Sequence, residues 1–284
     1  VGSEMCIRDS CYTSRYARGV YNTSTGQSDD DELRYWTSWI ASRMDATRNA
    51  CEYIDAFIAP SQYLRNKYVN DFSLPADKII VEPYGFFRDR LKNRKHRLED
   101  PATSNPIQNT DPYVFAYTGR HQPGKGINLL VEAALKVLQN TNNSDSCSNE
   151  DIPFRVKIFG RQDANSSPSL QRKISECPDP RAHDIFSWEA EYVNMDIVDR
   201  VFNAIDCLVV PSIWEENSPL VIHEAQQCGV PVITSSYGGM GELVKDAING
   251  LTFHHRSADS LAEAMEKAIE QPAGMRYLGE RGYI

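Results

Sequence analysis

The stretch PSIWEENSPLVIHEAQQCGVPVITSSYGGMG, residues 211–241, decides how the rest of the chain is read. Before it stands IDCLVV (205–210), an apolar, β-branched run of strand length that ends at Pro211, so a buried strand delivers the loop Ser212–Ser218. Pro219 suits a first helical position with Ser218 as N-cap, which predicts a helix over Leu220–Cys228 stopped by Gly229. VPVIT (230–234) reads as a second short strand, and SSYGGMGEL as a glycine-rich turn into a helix starting near Gly241. Glu216 lies in the loop and Glu224 on the helix, so helical periodicity does not align them; the loop must fold back over the helix start to bring them together. Taken blind, two such glutamates are a solvated side chain and a lysine partner. Here both stand beside strand ends and glycine turns, where open α/β sheets bind ligands.

Upstream, YVFAYTG (113–119) reads as a strand, followed by the turn RHQPGKG and the helix INLLVEAALKVLQ. The segment Gly119-Arg-His-Gln-Pro-Gly-Lys-Gly126 nearly matches the phosphate loop GxxxxGK(S/T), but Gly126 replaces the hydroxyl residue that would bind magnesium, and no apolar run ending in a metal-binding aspartate accompanies it. A glycine-bearing strand-to-helix turn favours an anion, so Arg120 and Lys125 are expected to face one rather than to be surface charges. NTNNSDSCSNED (140–151) is expected to be a mobile polar loop. FRVKIFG (154–160) and DIFSW (184–188) are further strands, PSLQRKISEC a short helix, and MDIVDRVFNAI (195–205) a helix with Ile197, Val198, Val201 and Phe202 on its apolar face. GLTF (250–253) and SLAEAMEKAIE (260–270) continue an alternation that implies a parallel, doubly wound sheet. His254 and His255 are adjacent and do not share a helix face as ligands, and no metal site is expected. The absence of G-x-G-x-x-G after a strand counts against a dinucleotide dehydrogenase.

Residues 1–30 show no sustained apolar period and are expected to be disordered or, in VGSEMCIRDS, non-native. From Asp31 an amphipathic helix carries Leu33, Trp36, Ile40, Met44 and Thr47 at three- and four-residue steps, a stripe most simply assigned to a core. IDAFIAP (54–60) reads as a strand, SQYLRNKYVNDF as a helix capped by Ser61, and KIIVEPYG (78–85) as a strand. Residues 86–112, basic and then rich in Pro, Asn and Thr, are expected to be an interdomain linker, with Arg88, Arg90, Lys92, Arg94, Lys95 and Arg97 on a solvated hinge.

The 284 residues suffice for two medium cores, and 41% hydrophobic with 24% charged is ordinary for a soluble globular chain. A net charge of −9 argues against nucleic acid or an anionic membrane as the main partner. Seven cysteines without C-x-x-C spacing favour reduced thiols, and a cytoplasmic location is expected. The sequons at Asn22, Asn142 and Asn165 are short enough to arise by chance.

The opening stretch resembles the donor-site signature of retaining glycosyltransferases of the GT-B fold, family-four type (glycosyl transferases group 1), in which Glu-x7-Glu precedes a G-V-P-V-I strand and a Gly-Gly turn. Those parts are Glu216–Glu224, Gly229–Thr234 and Gly238–Gly239; Asn217-Ser218-Pro219 stands where many members carry Gly-Phe-Gly. Residues 119–126 fit the family's G-R-x-x-x-x-K-G pattern, and the A-P-S-x-x-L and I-x-V-x-P-x-G patterns fit the close of its N-terminal domain. The resemblance implies an α/β chain of two Rossmann-like doubly wound domains. The acceptor-side one (31–85) lacks its opening half, and the donor-binding one spans 113–284.

It also implies transfer, in glycan biosynthesis, from a nucleotide-diphosphate sugar (UDP- or GDP-linked) to an unknown glycan, lipid or protein acceptor, with retention, no metal and no further cofactor. Peripheral membrane contact would come through the absent part. Carried over by position, Arg120 and Lys125 reach the donor diphosphate, Glu216 contacts hydroxyls of the transferred sugar, and Glu224 binds the ribose. Gly119, Asn217, Ser218, Pro219, Leu220, Gly238 and Gly239 complete the donor site, with backbone N–H groups near Asn217 and Gly238–Gly241 in the cradle. A non-catalytic nucleotide-sugar-binding fragment and an interaction protein that keeps only the fold are the alternatives.

Overall fold

The computed structural model describes residues 29–91, 94, 111–141, 152–164 and 166–282. The expectations for residues 1–28, for most of the 140–151 loop and for the three sequons lie outside them. The chain divides into two compact units between Pro83 and Tyr84.

In the first unit α1 (Asp29–Glu52) precedes β1 (Phe57–Ala59), α2 (Gln62–Phe72) and β2 (Ile79–Val81). The two strands pair in parallel, Phe57 opposite Ile79. Ser61 caps α2 as expected, its hydroxyl accepting the Leu64 N–H at 3.2 Å, and Ser73 closes the helix in the left-handed conformation. A small core of Ala59, Leu74 and Ile79 holds the unit. The stripe Trp36, Ile40 and Met44 on α1 is half-buried, not core.

The second unit carries a six-stranded, wholly parallel sheet: β3 (Tyr113–Thr118), β4 (Phe154–Phe159), β5 (Phe186–Trp188), β6 (Cys207–Val210), β7 (Val232–Ser235) and β8 (Leu251–Phe253). Their spatial order is β5-β4-β3-β6-β7-β8. The chain winds outward from β3 in one direction and from β6 in the other, so the order reverses between these neighbours and a crevice opens at their C-terminal ends. The loops leaving those two ends are the two singled out from the sequence.

Both sheet faces are covered, which is why the strands read as near-continuous apolar runs. Tyr113, Phe115 and Tyr117 of β3 face α3 (Ile127–Thr141), α4 (Ser166–Ser175), α5 (Ala182–Ile185), α9 (Ala258–Glu270) and α10 (Pro272–Glu280). Val114 and Ala116 face α6 (Ile197–Arg200), α7 (Leu220–Gln227) and α8 (Met240–Leu243). α3 presents Ile127, Leu130, Val131, Ala134, Val137 and Leu138 to the sheet at three- and four-residue steps. The helix expected over 195–205 is shorter: it breaks at Val201 (φ −118°, ψ −65°), and a 3₁₀ turn at Phe202–Ala204 keeps Phe202 buried. α10 has no counterpart in the sequence reading, although Pro272 stands at its first turn.

The basic segment after Tyr84 is not a solvated hinge over its described part. Leu91 is buried in the second core, and Phe86 packs against that core with its ring 5.9 Å from His223. The Arg94 guanidinium donates to the carbonyls of Phe202 (3.1 Å), Gly229 (3.0 Å) and Ile205 (3.2 Å). Two apolar anchors and one carbonyl clasp thus bind a highly charged run to the sheet. Beneath it, burial pushes the Cys228 thiol up to about 12, and burial also raises Cys207 well above its ordinary value.

The thiolate is the reactive form, so both thiols should resist iodoacetamide at pH 8 in the folded chain and react after denaturation, as read by peptide mass mapping. Labelling of Cys228 without unfolding would contradict the packing of Phe86, Leu91 and Arg94.

Candidate donor site

The two loops are locked together by backbone. Gly126, at φ +73°, brings the first loop so close to the second that a Cβ there would stand 1.8 Å from the Pro211 carbonyl oxygen. The Gly124 carbonyl, in the same turn, accepts from the N–H groups of Ile213 (3.1 Å) and Trp214 (3.0 Å), and the Ser212 hydroxyl oxygen lies 3.2 Å from it. On the far side, a Cβ on Gly239 would lie 1.6 Å from the Asn217 carbonyl oxygen, and the Gly239 N–H donates to the Glu216 carbonyl at 2.7 Å. The loop 211–219 is therefore held between the 119–126 turn and the 236–240 turn, with room for hydrogen alone at both contacts.

This clamping brings Lys125 to Glu216. The Lys125 ammonium donates to Glu216 Oε1 at 2.6 Å, and the Ser212 hydroxyl donates to the same oxygen at 2.9 Å. With Lys125 43% exposed, the pair adds only about 0.2–1 kcal/mol to stability, so its consequence is orientation. Glu216 Oε2 accepts nothing among the described residues.

Glu224 repeats the pattern one helix turn into α7. It is buried, and its Oε1 takes the Arg90 guanidinium and, at 3.5 Å, the Asn194 amide. Arg90 also donates to the Asn194 carbonyl (2.8 Å) and to its side-chain oxygen. Glu224 Oε2 is left without a partner among the described residues. Beside this cluster the Tyr192 hydroxyl bonds the Thr118 hydroxyl, and burial raises the Tyr192 pKa.

Arg120 is exposed, and its guanidinium makes no hydrogen bond or ion pair among the described residues; its carbonyl accepts the Tyr117 hydroxyl at 2.6 Å. Gly119, at φ +151°, turns the chain into this loop. Asn217 and Leu220 are exposed, Pro219 half-buried. Two expectations change. Ser218 is not the N-cap of α7: Pro219 takes that position without a side-chain cap bond, because the buried Ser218 hydroxyl is held by His223 Nε2 at 2.8 Å. The Gly239 N–H is consumed within the protein, whereas those of Asn217 and Gly238 make no bond among the described residues.

Arg90, Asn194 and Ser212 were not singled out from the sequence. Arg90 lies 134 positions from Glu224 and was hidden in a basic run; the apolar Phe86 and Leu91 flanking it were the available signal.

The model of the family described as glycosyl transferases group 1 matches residues 102–284, more than half of the chain, and the chain belongs to this family. It is 23% identical over 278 residues to an uncharacterized glycosyltransferase of Methanocaldococcus jannaschii, covering 93% of this chain and 62% of that protein. It is 29% identical over 213 residues to the D-inositol 3-phosphate glycosyltransferase of Corynebacterium aurimucosum, covering 75% and 48%. The chain thus spans about half to three-fifths of the length of these relatives. Among solved structures it is similar to Anabaena HepE in complex with UDP and glucose, with a TM-score of 0.68, 20% identity and coverage of 85% of this chain and 61% of that one. It is also similar to sucrose-phosphate synthase of Thermosynechococcus elongatus, with a TM-score of 0.65, 22% identity and coverage of 96% and 60%. The fold class is GT-B, as the resemblance implied.

The interlocked glycines carry a stability consequence. Gly239→Ala and Gly126→Ala should each cost on the order of 3 kcal/mol, seen as a lower urea midpoint for the second unit. Gly124→Ala, whose Cβ would meet nothing within 4 Å, should leave the midpoint unchanged. Equal midpoints for all three would show that the loops are not in contact as described.

Proposed function

We propose that residues 84–284 are the donor-binding part of a retaining glycosyltransferase that takes a sugar from a nucleotide-diphosphate sugar. The observation that carries this reading is the pair of half-engaged carboxylates, Glu216 and Glu224, flanking a cationic strand-to-helix turn at the switch point of a parallel sheet. In each, one oxygen is fixed by a cation and a neutral donor, which leaves the other to accept from a hydroxyl. HepE has been solved with UDP and with UDP-glucose, which supports a nucleotide-sugar donor.

Cleavage of the anomeric C–O bond leaves negative charge on the diphosphate, so the site must supply fixed positive charge there. Arg120 has a guanidinium to offer, and Lys125 holds Glu216 while keeping two further N–H groups. The N–H groups of Asn217 and Gly238, unbonded among the described residues, would complete the cradle. In this reading Glu216 Oε2 would receive a hydroxyl of the transferred sugar, and Glu224 Oε2 the ribose. In the retaining reading the acceptor attacks from the face the diphosphate leaves, and the departing phosphate takes the acceptor's proton, so no protein nucleophile is required. UDP- or GDP-sugars are the expected donors, with no metal and no further cofactor. The acceptor would be a glycan, lipid or protein.

Calorimetry with UDP and GDP tests the reading on the chain as it stands. One of them should bind, and Arg120→Ala should weaken it by about 10- to 100-fold, the loss of a charged phosphate contact. Glu224→Gln should weaken binding of the nucleotide but not of pyrophosphate. Binding of neither nucleotide, or undiminished affinity in Arg120→Ala, would contradict the proposal. In an enzyme with its acceptor domain, Glu216→Ala should abolish transfer while leaving the fold intact.

A further inference from the structure

We infer that Arg90 is a positioning residue for nucleotide recognition: it holds Glu224 so that one carboxylate oxygen is sealed inside and the other is presented to the ribose diol. This rests on the ribose role proposed for Glu224. The Arg90 side chain is 10% exposed, and its guanidinium spans three acceptors, namely Glu224 Oε1, the Asn194 carbonyl at 2.8 Å and the Asn194 side-chain oxygen. A planar fork serves this geometry, and a lysine ammonium does not reproduce it. Asn194 closes the triangle by donating to Glu224 Oε1 at 3.5 Å. Two donors on one oxygen and, among the described residues, none on the other break the symmetry of the carboxylate, which restricts its rotation and aims Oε2.

Arg90 is itself held in register by its chain neighbours. Leu91 is buried beside Cys228, whose thiol donates to the Leu91 carbonyl at 3.2 Å, and Arg94 clasps carbonyls at the ends of the 202–205 and 228–229 turns. The segment after Tyr84 thereby contributes a residue to the site rather than only a covalent link.

The test separates ribose recognition from folding. Calorimetry on the full chain would compare UDP or GDP, whichever binds, with its 2′,3′-dideoxy analogue and with pyrophosphate. The wild type should prefer the ribonucleotide by about tenfold, one hydroxyl-to-carboxylate recognition step. Arg90→Ala should lose that preference through weaker ribonucleotide binding, while dideoxynucleotide and pyrophosphate affinities stay within about twofold. Arg90→Lys, which keeps the charge and loses the fork, should recover only part of it, and it carries the test alone if Arg90→Ala does not fold. A full ribose preference in a folded Arg90→Ala, or in Arg90→Lys, would overturn the role of Arg90 and leave the role of Glu224 standing. No ribose preference in the wild type would overturn both.

Discussion

The approach of three backbone segments at the C-terminal end of β3 and β6 is the constraint on which the site depends. Gly126 against the Pro211 carbonyl and Gly239 against the Asn217 carbonyl leave no space for a side chain. Without those two contacts the 211–219 loop would be free to move, and Glu216 would lose the ammonium and hydroxyl that orient it. The parallel sheet sets where the loops emerge, and the glycines set how closely they can meet. Chemistry then follows from which side chains the meeting point carries.

The result is a site built from carboxylates that are deliberately incomplete. A fully satisfied buried glutamate is structural, and an unsatisfied one is costly. Glu224 and Glu216 lie between these limits, each with one oxygen bound inside the protein and one left without a partner among the described residues. Such a carboxylate is oriented before a ligand arrives and so loses little freedom when a hydroxyl binds. Positive charge is distributed in the same spirit: Arg90 is committed to Glu224, Lys125 is half committed to Glu216, and Arg120 is unengaged among the described residues.

The sheet strands, α3, α7 and α9 were legible because buried β-branched runs and three- and four-residue apolar steps are local signals. Glu216, Glu224 and Lys125 stand out in the sequence as candidates because they lie in motifs bounded by glycine and proline. The pairing of Lys125 with Glu216 was not legible, since it depends on backbone contacts across 91 positions. The contacts of Arg90 and Arg94 are hidden in the sequence for a physical reason: a run of basic residues resembles a solvated hinge unless its apolar anchors, Phe86 and Leu91, are weighed as core. Ser218 was misplaced because its hydroxyl has a better partner in His223 than in the helix N-terminus. The break in the helix at Val201 left no trace in an apolar pattern that both conformations bury equally well.

A crystal structure of the chain with the nucleoside diphosphate it binds would show whether the two half-engaged carboxylates face one nucleotide-sugar donor, as proposed. The ribose hydroxyls should lie within hydrogen-bonding distance of Glu224 Oε2, the diphosphate against Arg120 and Lys125, and Arg90 should remain on Glu224 Oε1. A nucleotide bound elsewhere, or a ribose turned away from Glu224, would contradict the proposal.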